Sequence, residues 1–192
     1  NTSVLNALFN YNTDVVWVYR GEVIDISSKA AFNKCLSVIC DQVYCDTPVY
    51  INEMVNKHKP SSAISTARVN FLAHLLDNGA EENLGFEDGK FPPEKTIYLT
   101  LLRNTGIHRR MGREYLLGEP RVESFMPLWN VCEAFLDSTK EKPRKLGELI
   151  KILRSRPFKL KQGVIDLWLP TFLIIKKNDY SLYNDAGVYI HT

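Results

Sequence analysis

LGELIKILRSRPFKLKQGVIDLWLPTFLIIKKNDYSLYNDAGVYI, residues 146 to 190, decides how the chain reads. Leu146, Leu149, Ile150 and Leu153 recur at helical spacing, so a helix is expected from about Lys145 to Arg154 and is ended by Pro157. A second, far more apolar helix is expected from about Gln162 to Lys176. Tyr180–Tyr183 and Val188–His191 then flank Asn184-Asp185-Ala186-Gly187, a turn sequence between two β-prone runs, which reads as a hairpin. Upstream, Phe125, Leu128, Trp129, Cys132 and Phe135 predict a helix over about Ser124–Leu136, and a charged, Pro-containing linker, Ser138–Pro143, follows it. Three helices and then a hairpin is the element order of a winged helix.

Working toward the N-terminus, Ile107–Pro120 reads as irregular, with a short strand at Tyr115–Leu117. Pro92-Pro93-Glu94 opens a helix that runs to about Asn104, with Gly106 just beyond its end. Ala80–Lys90 is acidic and Gly-containing, which predicts a surface loop. Ile64, Ala67, Phe71, Leu72, Leu75 and Leu76 form one apolar stripe on a helix over about Ala63–Leu76, started by Lys59-Pro60-Ser61-Ser62 and ended by Asn78-Gly79. A short helix is expected over Val49–Asn56, and a longer one over Lys29 to about Tyr44, capped by Ser27 or Ser28. Val15–Tyr19 and Glu22–Ile26, joined at Arg20-Gly21, predict a hairpin. Residues 1–13 read as a linker or short helix. The expected fold is therefore mainly α with two short β-hairpins. A helical N-terminal lobe with a hairpin covers residues 1–120, and a winged-helix-like lobe covers residues 121–192.

Composition sets the class. Of 192 residues, 45% are hydrophobic and 24% charged, which suits a folded globular domain and leaves no long polar tract for disorder. The first residue is Asn1, and apolar sequence runs almost to Thr192, so the chain reads as a piece of a longer protein. The cysteines, Cys35, Cys40, Cys45 and Cys132, have neither disulfide-scaffold density nor the Cys-x-x-Cys spacing of a zinc site, which points to reduced thiols and a cytoplasmic location. The longest apolar run, Val164–Ile175, is broken by Asp166 and Pro170 and falls short of the ~18 residues of a membrane span. No membrane contact is expected.

Catalytic and cofactor chemistry find little here. Gly85-Phe86-Glu87-Asp88-Gly89-Lys90 resembles a phosphate loop but is one residue short between its glycines, carries two acids, and is followed by Phe91 where Ser or Thr would reach magnesium. His58, His74, His108 and His191 form no i, i+4 pair and have no ligand partner at metal spacing. His74, at the edge of an amphipathic helix, reads as a polar flank of the core. Cys132 lies on the apolar stripe of its helix, where thiols are inert. No catalytic residue, metal ligand or cofactor site is assigned, and the chain is not expected to be an enzyme by itself.

Charge distribution says more than the formal net charge of +2. Lys140, Lys142, Arg144, Lys145, Lys151, Arg154, Arg156, Lys159 and Lys161 fall within one short stretch, with only Glu141 and Glu148 opposing them. Arg103, His108, Arg109, Arg110 and Arg113 form a second cluster. Such density over a helix–turn–helix is the footprint of contact with a phosphate backbone. The residues assigned to nucleic-acid binding are Lys145, Lys151, Arg154, Arg156, Lys159 and Lys161. The competing account is that these cations solvate a helix or pair with Asp77, Glu81, Glu82, Glu87 and Asp88. A recognition helix must expose polar groups to base edges. Val164, Ile165, Leu167, Trp168, Leu169, Phe172, Leu173, Ile174 and Ile175 leave almost no polar face on the last helix, so it is expected to be buried and any DNA contact to be non-specific.

Two stretches carry a family resemblance. HKPSSAISTARVNFLAHLLDNGAEENLGFEDGKFPPEKTIYLTLLRNTGIHR (58–109) resembles part of the large bacterial P-loop ATPases of BREX and phage-growth-limitation type anti-phage defence, and of related ATP-binding proteins. The shared features are Ser-Ser before an Ala-Arg helix, a Leu-Gly turn, a Pro-Glu helix start and a Gly-Ile-His end. Residues 146–190 resemble a second stretch of the same proteins, in a Pro-Phe, a Gly before an apolar helix and a Tyr-rich hairpin. Together they cover about half of the chain. Neither contains the family's nucleotide-binding motifs. The resemblance implies an accessory region outside the ATPase core, with the remainder of that ATPase as a partner. It carries no functional residue across. The alternative is a protein-interaction or structural domain that packs on the parent ATPase or a partner subunit.

Overall fold

The computed structural model describes Ser3, residues 15–56 and residues 61–190. The linker or short helix expected over residues 1–13 (Ser3 apart), the Lys59-Pro60 start signal and His191 lie outside the described residues. The chain divides into two compact units, Asn1–Cys45 and Asp46–Thr192. Among the described residues the fold is mainly α with three two-stranded antiparallel hairpins, one more than the sequence predicts.

In the first unit β1 (Trp17–Tyr19) pairs with β2 (Glu22–Ile24). Both turn residues, Arg20 (φ 52°) and Gly21 (φ 86°), are left-handed, the type I′ geometry whose twist matches the strands. Helix α1 (Lys29–Val43) starts at Ser28, whose hydroxyl accepts the Ala31 N–H at 3.1 Å. Trp17 meets Phe32 with ring centroids 5.0 Å apart, and no residue of α1 is fully buried.

The second unit holds the core. Its elements are α2 (Glu53–Asn56), α3 (Ser62–Asp77), α4 (Pro93–Tyr98), β3 (His108–Met111), β4 (Glu114–Leu117), α5 (Met126–Ser138), α6 (Leu146–Arg154), α7 (Gln162–Ile175), β5 (Leu182–Tyr183) and β6 (Tyr189–Ile190). Helix α3 is capped by Ser61 and buries Ile64, Ala67, Phe71 and Leu75 on the predicted stripe. Helix α4 opens at Pro93 as expected but widens over Leu99–Arg103, where the Asn104 N–H reaches the Leu99 carbonyl at 2.9 Å. Thr100 lies within the widened turn, where its hydroxyl bonds back to the Thr96 and Ile97 carbonyls and accepts from Asn52.

Two expectations are corrected. Ile107–Pro120 is more regular than expected: the strand expected at Tyr115–Leu117 is present as β4, and it pairs with β3 in a hairpin registered His108↔Leu117 through Met111↔Glu114. The acidic stretch Ala80–Lys90 is not simply a surface loop. Asn83, Leu84 and Gly85 are consecutive left-handed residues (φ 53°, 53° and 69°), and this tight turn drives Leu84 and Phe86 into the core. Burial of two large apolar groups offsets the left-handed strain at Leu84.

Helix α7 is the centre of the unit. Ile165, Leu167, Trp168, Leu169, Thr171 and Phe172 are buried. Trp168 and Phe172 pack with Phe125 and Trp129 at centroid separations between 5.1 and 6.4 Å. Helix α7 also packs on α2, α3 and α6, so elements on both sides of residue 120 share one core. No helix among the described residues is long and apolar enough to cross a membrane.

Candidate nucleic-acid interface

Helix α6 is amphipathic. Leu149 and Leu153 are buried, Leu146, Ile150 and Ile152 are half-buried, and Lys151 and Arg154 stand on the exposed face. Its start is fixed by Glu148, whose carboxylate accepts the Lys145 backbone N–H at 3.2 Å and the Arg144 guanidinium at 2.8 and 3.1 Å. Those contacts hold the Glu148 carboxyl below its ordinary range, Arg144 first. Arg144 is thereby engaged, and Lys145 is left exposed beside it.

The α6–α7 turn alternates inward and outward. Phe158 and Leu160 are buried, and the Leu160 N–H donates to the Leu153 carbonyl at 2.9 Å. The Thr47 hydroxyl bonds to the Phe158 carbonyl. Pinned at these points, the turn leaves Arg156, Lys159 and Lys161 exposed. Lys159 itself is left-handed (φ 52°).

Below this surface runs a polar chain. Arg154 donates to Gln162, Gln162 to Asp166, and Asp166 pairs with Arg68 of α3 at 3.0 Å. Arg68 is the deep member, its side chain 13% exposed. The chain is structural: it ties the end of α6 to the first turn of α7 and both to α3. Sequence reading missed Arg68 and Gln162, since nothing in their spacing announces contacts to residues so distant in the chain.

All six residues assigned from the sequence, Lys145, Lys151, Arg154, Arg156, Lys159 and Lys161, are exposed along α6, the turn and the start of α7. Lys145 lies 3.7 Å from Asp185, but both side chains are more than four-fifths exposed, so that pair holds little. Among the described residues Lys151, Arg154 and Lys159 form no ion pair. No ion pair joins the acidic loop to Lys151, Arg154 or Lys159 among the described residues. Its Glu87 pairs with Lys90 at 2.6 Å and its Glu82 accepts the Tyr115 hydroxyl at 2.7 Å.

Other candidates resolve into structure. Cys132 is fully buried, accepts the Trp168 indole N–H at 3.4 Å, and has its thiol pushed up to about 12 by burial, so it is no nucleophile at neutral pH. His74 is half-buried, stacked on Phe86 at 4.1 Å, with Nδ1 at 3.1 Å from the Leu84 carbonyl. His108, counted in the second basic cluster, is 3% exposed and is no surface cation. Its Nδ1 meets the Tyr98 hydroxyl at 3.1 Å, while Nε2 is buried without a hydrogen-bond partner among the described residues. Burial lowers its pKa and outweighs the opposing effect of the Gly79 backbone. Among the described residues no three His, Cys, Asp or Glu side chains converge as a metal set.

No family model, curated protein or solved structure matches the chain.

Proposed function

We propose that this chain is a non-catalytic accessory module of a larger ATPase, of the phage-defence kind that its sequence resembles. It grips the DNA backbone through α6, the turn and the start of α7. In this reading α5–α7 and the β5–β6 hairpin act in the manner of a winged helix whose last helix supports the surface instead of entering a groove. One observation carries the proposal: a row of exposed cations, three of them without an ion-pair partner among the described residues, on the outer side of an element whose inner side is core. Such an array neutralises phosphates without reading bases.

The test is fluorescence anisotropy of a random-sequence duplex with the 192-residue chain across a salt series. Binding whose log affinity falls linearly with log salt is expected. The pair Lys151→Gln/Lys159→Asn should reduce that slope by about 2, one for each phosphate that no longer meets a cation. Asn is chosen at 159 because it tolerates the left-handed backbone there. Absence of binding at low salt refutes the proposal.

A second reading rests on a different observation. A groove of about 1090 Å³ lies between the end of α5, the start of α6 and the terminal hairpin, lined by Phe135, Leu136, Leu146, Leu173, Tyr180 and Leu182 among others. It suits an apolar segment of the parent ATPase or of a partner subunit. Retained partner binding by a chain that ignores DNA would favour it.

A further inference from the structure

The second unit carries another cationic surface, of different chemistry. Between residues 101 and 121 every basic side chain other than His108 is arginine: Arg103, Arg109, Arg110, Arg113 and Arg121, against two glutamates, Glu114 and Glu119. The six residues on α6–turn–α7 comprise four lysines and two arginines. Arginine presents a planar fork that grips two phosphate oxygens at once, whereas lysine acts as a point charge.

The β3–β4 hairpin displays these forks. Of its two turn residues, Gly112 and Arg113, Gly112 alone is left-handed (φ 68°), the pattern of a type II′ turn, so Arg113 sits at the very tip. Register sets Arg110 opposite Tyr115. Alternation along the strands puts both on the face that carries His108 and Leu117. That face is anchored: His108 is buried, its ring 5.3 Å from Tyr115. Arg109, on the other face, is committed to the fold, with Nη1 donating to the Gly106 and Glu119 carbonyls at 2.8 and 2.9 Å. Arg110 is exposed and, among the described residues, its hydrogen bond is through Nε to the Gly112 carbonyl at 3.1 Å. Arg103 is exposed at the end of the Leu99–Arg103 segment, which packs against β3, the strand that carries Arg110. Glu82 is occupied by the Tyr115 hydroxyl.

We infer that the β3–β4 hairpin is a second phosphate-gripping element, with Arg103, Arg110 and Arg113 holding the backbone of a DNA duplex as forks. The inference rests on the proposed function, because it assigns the same polyanion to a second surface. A two-stranded ribbon is narrow enough to lie along a duplex groove, where its tip reaches the flanking phosphates. The turn and the anchored His108 present the arginines on a fixed scaffold, so little ordering is required on binding.

The same anisotropy series distinguishes the two assignments, with circular dichroism confirming each variant's fold. Arg110→Gln/Arg113→Gln should reduce the salt slope by about 2. Arg110→Lys/Arg113→Lys, which keeps charge and fold but not the fork, should keep the slope and weaken binding several-fold. If the Gln pair leaves slope and affinity unchanged while Lys151→Gln/Lys159→Asn flattens the slope, the hairpin inference falls and the functional reading stands. Weakened binding of the Gln pair at an unchanged slope also overturns it, because the same number of phosphates would then be neutralised with or without the arginines. If the unaltered chain does not bind duplex DNA, both fall.

Discussion

Gly163→Ala should destabilise the second unit, although the same change normally stabilises a helix. Ala in a helix interior is favoured over Gly by about 1 kcal/mol. Gly163 sits in the first turn of α7, where an added Cβ would stand 2.6 Å from the Val55 carbonyl oxygen and 2.9 Å from Arg68 Nη2, inside the 3.0 Å that real Cβ atoms essentially never cross. The Arg68 contact is cheap to relieve, since it is the end of a long side chain. The Val55 contact is not: it is backbone of α2, and the Val55 side chain is itself 2% exposed in the core. Helix α7 must therefore shift off α2, and such overpacking costs about 1–3 kcal/mol. With the propensity gain set against it, the net loss is centred on about 1 kcal/mol and reaches at most about 2 kcal/mol. For a unit of this size that lowers Tm by up to about 8 °C. Thermal unfolding by circular dichroism measures it, with Gly147→Ala as the control. Gly147 lies in the first turn of α6, and an added Cβ there meets nothing within 4 Å, so that variant should melt at or above the unaltered chain. If Gly163→Ala matched Gly147→Ala in sign, the close approach of α7 to α2 would be wrong.

Three further outcomes are expected. Asp166→Asn leaves the Arg68 guanidinium, 13% exposed, without its counter-charge and should cost about 1–2 kcal/mol in urea unfolding; an unchanged midpoint would show that the pair holds nothing. His108 is held neutral by burial, so its folded pKa lies below its unfolded value, and the unfolded chain takes up the proton first. Its contribution is complete above about pH 6.5 and is lost as pH falls below that, so His108→Phe should flatten the change in urea midpoint between about pH 7.5 and pH 5.5. An identical pH dependence in the variant would refute this. Native chain treated with a thiol reagent at pH about 8 should label Cys40, which is exposed, and spare Cys132, whose thiol is pushed up to about 12; Cys132 should label only in denaturant, and its labelling in the native chain would contradict the packing.

Helices α3, α6 and α7 were legible because each buries a stripe wide enough to impose helical period on the sequence, with Ser61, Pro157 and Asn78 marking ends. Of the β3–β4 hairpin, the strand at Tyr115–Leu117 was legible, and β3 and its pairing were not. His108-Arg109-Arg110-Met111 has no β-branched residue and no apolar alternation, and its pairing depends on tertiary anchorage of His108 against Tyr98 and Tyr115. Gly112 was the one local signal, and a lone glycine marks many things. Acidic composition hid Leu84 and Phe86, because a run of left-handed residues is needed to fold an acidic stretch of chain inward, and composition averages over them. Counting charge found the six basic residues, which hydrophobic packing turns outward. It overcounted His108 and Arg109, because a count cannot tell a solvated cation from a side chain spent on the backbone.

The burial of α7 constrains how a duplex would be held. A helix reads bases by offering polar side chains to a groove, and α7 instead commits Trp168, Leu169 and Phe172 to the core. Withdrawing it would expose the aromatic centre of the unit, at a cost far above what base contacts of about 1–3 kcal/mol each return. The cations lie along α6, the turn and the start of α7, on backbone held by the buried Leu149, Leu153, Phe158 and Leu160, and Arg154 is tied through Gln162 and Asp166 to Arg68. A row of exposed charges beside a buried helix favours any sequence equally, because phosphate spacing is common to all duplexes. Discrimination between a specific and a random duplex should then be slight. Under the proposed function, sequence choice would have to come from outside this chain, or from the shape of the DNA presented to it.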